Sequence, residues 1–270
     1  MKIVVFSGGL GNQLFQYMYY MHIKTNNKER LYVVYRGKDH NGYEISKYFD
    51  CHIKRDVVLQ LIVRIIYRFR DLYHIGAMQE FFIKENEKRG KWGFIYEGLW
   101  QNRMYLDGNS IDYKELVLSK KNSEVKRQMM SSNSVAIHIR RGDYLHPQYY
   151  SWYWHLEDTD YYQKAIAYVK RKLGVCTFFV FSDDIEWCRT NLPLERAYYI
   201  DWNKGADSVY DKYLMSHAKA NIIANSTFSF WGAYLNKSSE LTIYPLKWFK
   251  DVCHIRKMTF FLLVGQECSL

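Results

Sequence analysis

Ser134-Val-Ala-Ile-His-Ile139 breaks off into Arg140-Arg-Gly-Asp143. A short apolar run stopped by a polar turn predicts a buried strand. Thr177-Phe-Phe-Val-Phe181 stops in Ser182-Asp-Asp184 in the same way, and residues 221–224 stop in Asn225-Ser-Thr-Phe-Ser229. Helices are predicted between them, from Asp160 as N-cap to about residue 172 and over 208–220, with another after Ser229. Strands alternating with helices predict an α/β layer. In open α/β sheets ligands gather at the carboxyl ends of the strands, so the three polar clusters should converge on one site.

The N-terminal half opens in the same style. Lys2-Ile-Val-Val-Phe6 reads as a strand, Gly8-Gly-Leu-Gly11 as a turn, and the residues from Asn12 as a helix; Leu31-Tyr-Val-Val-Tyr35 is a second strand. Over 56–72, apolar residues recur at Val57, Val58, Leu61, Ile62, Ile65, Ile66, Phe69 and Leu72, with Arg64, Arg68 and Asp71 opposite. That spacing predicts an amphipathic helix, apolar face inward and basic face solvated, with a membrane-surface role as the alternative. The polar stretch 119–134 marks the change of domain, giving domains at 1–130 and 131–250 and a tail at 251–270.

A net charge of +10 asks for an anionic partner. The basic residues are scattered, Lys54, Arg55, Arg64, Arg68 and Arg70 among them, which argues against a nucleic-acid arm. The five cysteines form no C-x-x-C pair, so reduced thiols in a cytoplasm are expected. No stretch approaches the ~20 apolar residues of a membrane span, and no signal peptide precedes residue 2.

His138, Arg140 and Arg141 stand at one strand end, and guanidinium groups match phosphate oxygens two at a time. A surface Arg–Asp turn is the plain alternative. The carboxylates of Asp183 and Asp184 suit ribose hydroxyls or a base edge, although Asp184 also reads as a helix cap. Asn225-Ser-Thr-Phe-Ser229 opens a helix with hydroxyls and backbone N–H groups, a cradle for phosphate; Phe230 and Trp231 after it read as core. Gly8-Gly-Leu-Gly11 lacks the third glycine of the dinucleotide fingerprint, and no P-loop follows. Asp158-Thr-Asp160 has the look of a metal-binding D-x-D but precedes a helix, so capping is preferred.

Gly8-Gly-Leu-Gly-Asn-Gln-Leu-Phe-Gln16, Gly98-Leu-Trp-Gln-Asn102, His138-Ile-Arg-Arg-Gly-Asp-Tyr144, Phe181-Ser-Asp-Asp184 and Asn225-Ser-Thr-Phe-Ser-Phe-Trp-Gly-Ala233, in this order, resemble the α-1,2-fucosyltransferases of glycosyltransferase family eleven. The resemblance implies a GT-B-like α/β fold, two Rossmann-like domains facing across a cleft. It implies a GDP-fucose donor, a galactose-containing oligosaccharide or lipid-linked acceptor, inversion at the anomeric carbon, and no required cofactor or metal. The first domain would serve the acceptor and the second the donor, with nucleic acid no partner and contact with the inner membrane face an option. By position, Arg140 would meet the diphosphate, with Arg141 and Asp143 orienting it. His138 and Asp183 would flank phosphates and guanine, Ser226, Thr227 and Ser229 would complete the cradle, and Asn12 and Gln13 would face the cleft. Phe230 stands where the family commonly has Trp, and the ending after Phe249 departs from the family, which reads as a frame-shifted or diverged end. Two other readings stand beside this one: a basic nucleic-acid or anionic-surface binder, and a sugar-nucleotide-binding protein without activity.

Overall fold

The computed structural model describes residues 1–26, 29–37, 40–72, 74–85, 91–192 and 194–250, and the backbone of Gln266–Ser269. The chain divides into two compact units, one spanning Met1–Leu116 and the other beginning at Val117.

In the first unit the strands are β1 (Lys2–Phe6), β2 (Leu31–Tyr35), β3 (Phe82–Lys84) and β4 (Ile95–Glu97), and the helices α1 (Leu10–Asn26), α2 (Ile45–Tyr48) and α3 (Val57–Asp71). The sheet runs β2-β1-β4-β3 with every pairing parallel. Ile3 and Val5 of β1 point to one face, where they meet Val34, Phe82 and Ile95 and, from α3, Val63 and Tyr67.

Helix α3 overturns its expected orientation. Val58 (66% exposed), Leu61 (58%), Ile65 (47%), Phe69 (42%) and Leu72 (60%) lie outward. The helix docks instead through Leu59, Val63, Ile66 and Tyr67. Both sets follow the i, i+3/i+4, i+7 rhythm, so periodicity predicts a helix here but not which apolar stripe is buried.

In the second unit the strands are β5 (Ser134–Ile139), β6 (Thr177–Ser182), β7 (Ala197–Ile200), β8 (Ala220–Ile222), β9 (Leu241–Tyr244) and β10 (Gln266–Ser269). The helices are α4 (Lys120–Met130), α5 (Pro147–Tyr150), α6 (Tyr161–Leu173), α7 (Ile185–Asn191), α8 (Ser208–Met215) and α9 (Thr227–Tyr234). The sheet order is β10-β9-β8-β5-β6-β7, again all parallel. Val135, Ile137 and Ile139 of β5 pack with Tyr161, Tyr162, Ala165 and Val169 of α6. On the opposite face Ala136 meets Phe179 and Phe181 of β6, Val125 and Met129 of α4, and Leu214 and Met215 of α8. The period of two along β5 thus sends His138 to the α8 side of the sheet.

The stretch expected to mark a boundary at 130/131 is α4, and it belongs to the second unit. Only Asn122, Val125 and Met129 of α4 are buried, too thin an apolar stripe to stand out in sequence. The 251–270 tail lies outside the described residues, apart from the backbone of β10, and with it the frame-shift reading. Phe230 and Trp231 are core residues, meeting at 90° with centroids 5.5 Å apart. Cys51, Cys176 and Cys188 are free thiols. Among the described residues, no helix is long and apolar enough to cross a membrane.

A buried polar knot ties α4 to the loop after β7 and to α8. Asn122 and Asn203 exchange side-chain amide bonds of 2.9 and 3.0 Å, and Trp202 Nε1 donates to Asn122 Oδ1 at 2.8 Å. Asn203 Nδ2 also donates to Asp211 Oδ1 at 2.7 Å. Burial pushes the Asp211 carboxyl up to about 8 against the opposing pull of that bond. Its folded pKa lies above its unfolded value, so its contribution to stability is full below about pH 4 and is lost as pH rises through 8. Asp211→Asn keeps the acceptor and removes the ionisation. Thermal melts should show Tm raised at pH 8 by about 5–10 °C and little changed near pH 4; equal shifts at both would show that Asp211 is ionised in the folded chain.

Candidate active site

The parallel register sets Ile139 beside Ser182 and Ile137 beside Ile222, so the residues after β5, β6 and β8 emerge together. Asp183 joins the first two ends. One carboxylate oxygen accepts the Arg141 backbone N–H at 2.9 Å, and the other pairs with Arg140 NH1 at 3.0 Å. Arg140 NH2 pairs with Asp143 Oδ1 at 2.8 Å. Burial works against the Arg140 charge, but Asp183 and Asp143 outweigh it and its pKa is raised. The guanidinium has five N–H donors, so two carboxylates fix the fork without using it up. Its side chain is 27% exposed.

Gly142 is where this clamp needs a missing side chain. A Cβ there would lie 2.6 Å from Asp183 Oδ2 and 3.0 Å from Asp183 Cγ.

Arg141 points elsewhere. Its Nε pairs with Asp184 Oδ2 at 3.0 Å, its NH1 lies 3.5 Å from the buried Glu157, and its guanidinium stacks 4.4 Å over Trp187. Asp184 Oδ1 accepts the Trp187 N–H and so caps α7, as its sequence position predicts. Its other oxygen is engaged by Arg141.

The third strand end is tied in by Tyr144, whose Oη donates to the Asn225 carbonyl at 2.8 Å. Asn225 Nδ2 in turn donates to the Trp154 and Trp248 carbonyls at 2.8 and 2.9 Å. Ser226 Oγ accepts the Phe228 N–H as the α9 cap, and Ser229 Oγ, fully buried, donates to Ala224 and Ser226 carbonyls. Thr227 is half-buried, and its hydroxyl makes no hydrogen bond among the described residues. Of the three hydroxyls, that of Thr227 is free for a ligand.

His138 is buried, its ring 5.1 Å from Phe228 and its Nδ1 without a partner. Burial first, then Arg140 and Lys212, push its pKa down to about 3, so the ring is neutral. Because that is below the unfolded value of about 6.5, the stability it supports is present above pH 6.5 and falls as pH drops towards 3. Lys212 is itself fully buried, its ammonium 4.9 Å from the Phe228 ring. Lys212, Tyr144 and Glu157 were not foreseen. A signal for Lys212 exists, since it stands three residues from both Val209 and Met215, on the buried stripe of α8.

In the first unit, Gly8 adopts φ 72°, and a Cβ there would meet Asn12 Nδ2 at 2.7 Å. Asn12 Oδ1 accepts from Gln101 Nε2 at 3.0 Å. Gln13 does not face outward. It is fully buried, donating to the Gly8 and Gly42 carbonyls and accepting from Glu44 and Ile45 N–H groups. Gln16 likewise accepts from Ser7 N–H and donates to the Gly98 carbonyl. Asp160 occupies the first-cap position of α6, but its side chain pairs with Lys164 at 2.8 Å while Thr159 Oγ1 accepts the Tyr161 N–H.

The description that matches residues 69–262 is "Glycosyl transferase family 11". The chain belongs to that family. It is 33% identical over 271 residues to an alpha-1,2-colitosyltransferase of Escherichia coli, covering 93% of each chain. It is 33% identical over 106 residues to galactoside alpha-(1,2)-fucosyltransferase 1 of Sus scrofa, covering 38% of this chain and 29% of that one. Among solved structures, a glycosyl transferase of family 9 from Veillonella parvula superposes with TM-score 0.53 at 10% identity, covering 99% of this chain and 86% of that one. That likeness, with the two parallel sheets, makes the fold GT-B-like α/β.

Gly142→Ala should push Asp183 off Arg140, an overpacking cost of about 1–3 kcal/mol. Transfer measured as kcat/KM should fall about 5- to 150-fold. Wild-type kcat/KM in that variant would show that Asp183 does not set the Arg140 geometry.

Proposed function

We propose that the protein transfers fucose from GDP-fucose to the 2-hydroxyl of a galactose-containing glycan, with inversion. The observation that carries the reading is Arg140, a partly exposed guanidinium held between Asp143 and Asp183 at the end of β5. Fixed cationic donors stabilise the charge that builds on a leaving diphosphate without reorganising as it forms. In this reading the acceptor 2-hydroxyl attacks the anomeric carbon, the bond to the diphosphate oxygen breaks, and the acceptor proton leaves with the diphosphate. Arg140 contacts the diphosphate. Asp143 and Asp183 orient Arg140, and Thr227 with the first turn of α9 supplies hydrogen bonds to the phosphates. Ser226, Ser229 and His138 shape that turn from beneath, and Arg141 braces α7 through Asp184. The second unit is assigned the donor and the first the acceptor, with Asn12 the side chain available there and Gln13 part of its scaffold. A lipid-linked acceptor at the inner membrane face suits the sequence resemblance. Colitose is the second reading for the sugar, favoured by the 33% identity to the Escherichia coli colitosyltransferase.

The test offers GDP-fucose and GDP-colitose separately with a simple β-galactoside and assigns the product linkage. An α-1,2-fucoside is expected; preference for the colitosyl donor would move the sugar, and absence of any product with either would remove the transferase reading. Arg140→Ala should lower kcat/KM by about 30- to several-thousand-fold, the loss of roughly 2–5 kcal/mol from a desolvated charge contact. Arg140→Lys should rescue poorly, because a point charge cannot reproduce the planar fork. Transfer should persist in EDTA, since Arg140 supplies the positive field; loss of transfer in chelator, restored by Mn²⁺, would count against that assignment.

A further inference from the structure

The outward stripe of α3 takes no part in the proposed donor site. Val58, Leu61, Ile62, Ile65, Phe69 and Leu72 follow one another at helical spacing, all exposed, and Ile75 extends the row through its backbone bond to Phe69. An isolated exposed leucine needs no explanation, but a contiguous apolar row does. Arg64 and Arg68, three and seven residues beyond Leu61, form one border of the row. Both are exposed, and neither makes an ion pair among the described residues. Exposed Lys54 and Arg55 precede the helix, Arg55 stacked on Tyr43. The acidic groups of the helix are occupied elsewhere: Asp71 by Arg36 and Arg70, each at 2.6 Å, and Asp56 by the Leu59 N–H it caps.

We infer that the outward face of α3 docks the protein on an anionic lipid bilayer, with Leu61, Ile65 and Phe69 entering the headgroup–acyl boundary and Arg64 and Arg68 meeting lipid phosphates. The row lies on a convex helix rather than in a groove, which suits a helix lying in the plane of the interface. Arginine side chains can keep their charge at the headgroups while their stems cover apolar surface. A second copy fits less well, because pairing this face would bring together two chains of net charge +10, each with its own arginine border. The inference goes beyond the donor-site reading and does not depend on it, since no residue of α3 belongs to that site.

The full chain should float with vesicles of phosphatidylcholine containing about 30 mol% phosphatidylglycerol, and poorly with phosphatidylcholine alone. Raising salt from about 50 to about 300 mM should weaken the binding. The exposed triple variant Leu61→Ser, Ile65→Ser, Phe69→Ser should lose at least about tenfold in vesicle affinity while keeping its Tm and its transfer to a water-soluble galactoside. Arg64→Gln with Arg68→Gln should lose several-fold and flatten the salt dependence. Failure of the wild-type chain to float with anionic vesicles would overturn the inference, as would a triple variant that floats equally well. Sedimentation velocity gives the remaining outcome: a dimer abolished by the triple variant, with no flotation, would assign the face to a second copy instead. Transfer to the soluble galactoside is read separately, so loss of the docking face and loss of the donor reading cannot be confused.

Discussion

The ends of β5 and β6 are fastened together by the Asp183 carboxylate. It sits between two donors from β5, the Arg141 backbone N–H and the Arg140 guanidinium, and so fastens β6 to β5 just where the sheet stops. Backbone ladders cannot do this, because they end with the strands. A charged acceptor placed one residue past the ladder continues the pairing and fixes a cation at the same time. The geometry leaves no room for a side chain at position 142, so the glycine and the aspartate are one device written in two motifs 41 residues apart.

The first unit solves a similar problem with neutral groups. Gln13 and Gln16 run along one side of α1 and sew its first turns to the loop before α2, to the end of β1 and to Gly98. An amide offers both donors and acceptors, so one buried side chain can satisfy loop N–H and C=O groups that would otherwise be stranded. Trp100 shows what the scaffold holds in place. It adopts φ 56° and stacks on Tyr19 with ring centroids 3.7 Å apart, and its backbone N–H donates to Glu85 Oε2 at 2.7 Å. Polar groups read from sequence as ligand contacts therefore divide into those that keep a hydrogen-bonding group unspent and those whose groups are used up inside the scaffold.

That division explains what sequence could and could not reveal. Strands β1, β2, β5 and β6 were legible because each is a short apolar run with an abrupt polar end, and so was the convergence of the β5, β6 and β8 ends within the second unit. Strands β3 and β4 have three residues each, too few for a pattern. The arginine pair was legible as a pair but not as two different roles: only the fold reveals that Arg140 turns to Asp183 and Asp143 while Arg141 turns to Asp184, Glu157 and Trp187. Ser226, Thr227 and Ser229 look alike in sequence, yet one caps, one is free and one is core. Lys212 leaves a trace in the spacing of α8 and His138 was named from its strand end, but the burial of the one beside the neutral ring of the other was hidden for another reason. Their state depends on neighbours from β5, α8 and α9 at once, and no local window contains all three.

Helix α3 carries the same lesson in hydrophobic rather than polar terms. A helix with one apolar stripe has one way to sit on a sheet, and its orientation follows from its sequence. With two stripes the choice passes to fit: Val63 and Tyr67 close over Val34, Phe82 and Ile95, where the ring of Tyr67 also meets Phe82 at 5.2 Å and its hydroxyl reaches Glu97 at 2.9 Å. Arg36 and Arg70 then stack on that ring at 4.0 and 4.5 Å, so the polar tip and the cations are satisfied on the buried side. The outward apolar row takes no part in the cluster that covers this face of the sheet. It is left outward beside Arg64 and Arg68, which make no ion pair among the described residues; water hydrates the arginines but not the apolar row, whereas an anionic interface suits both.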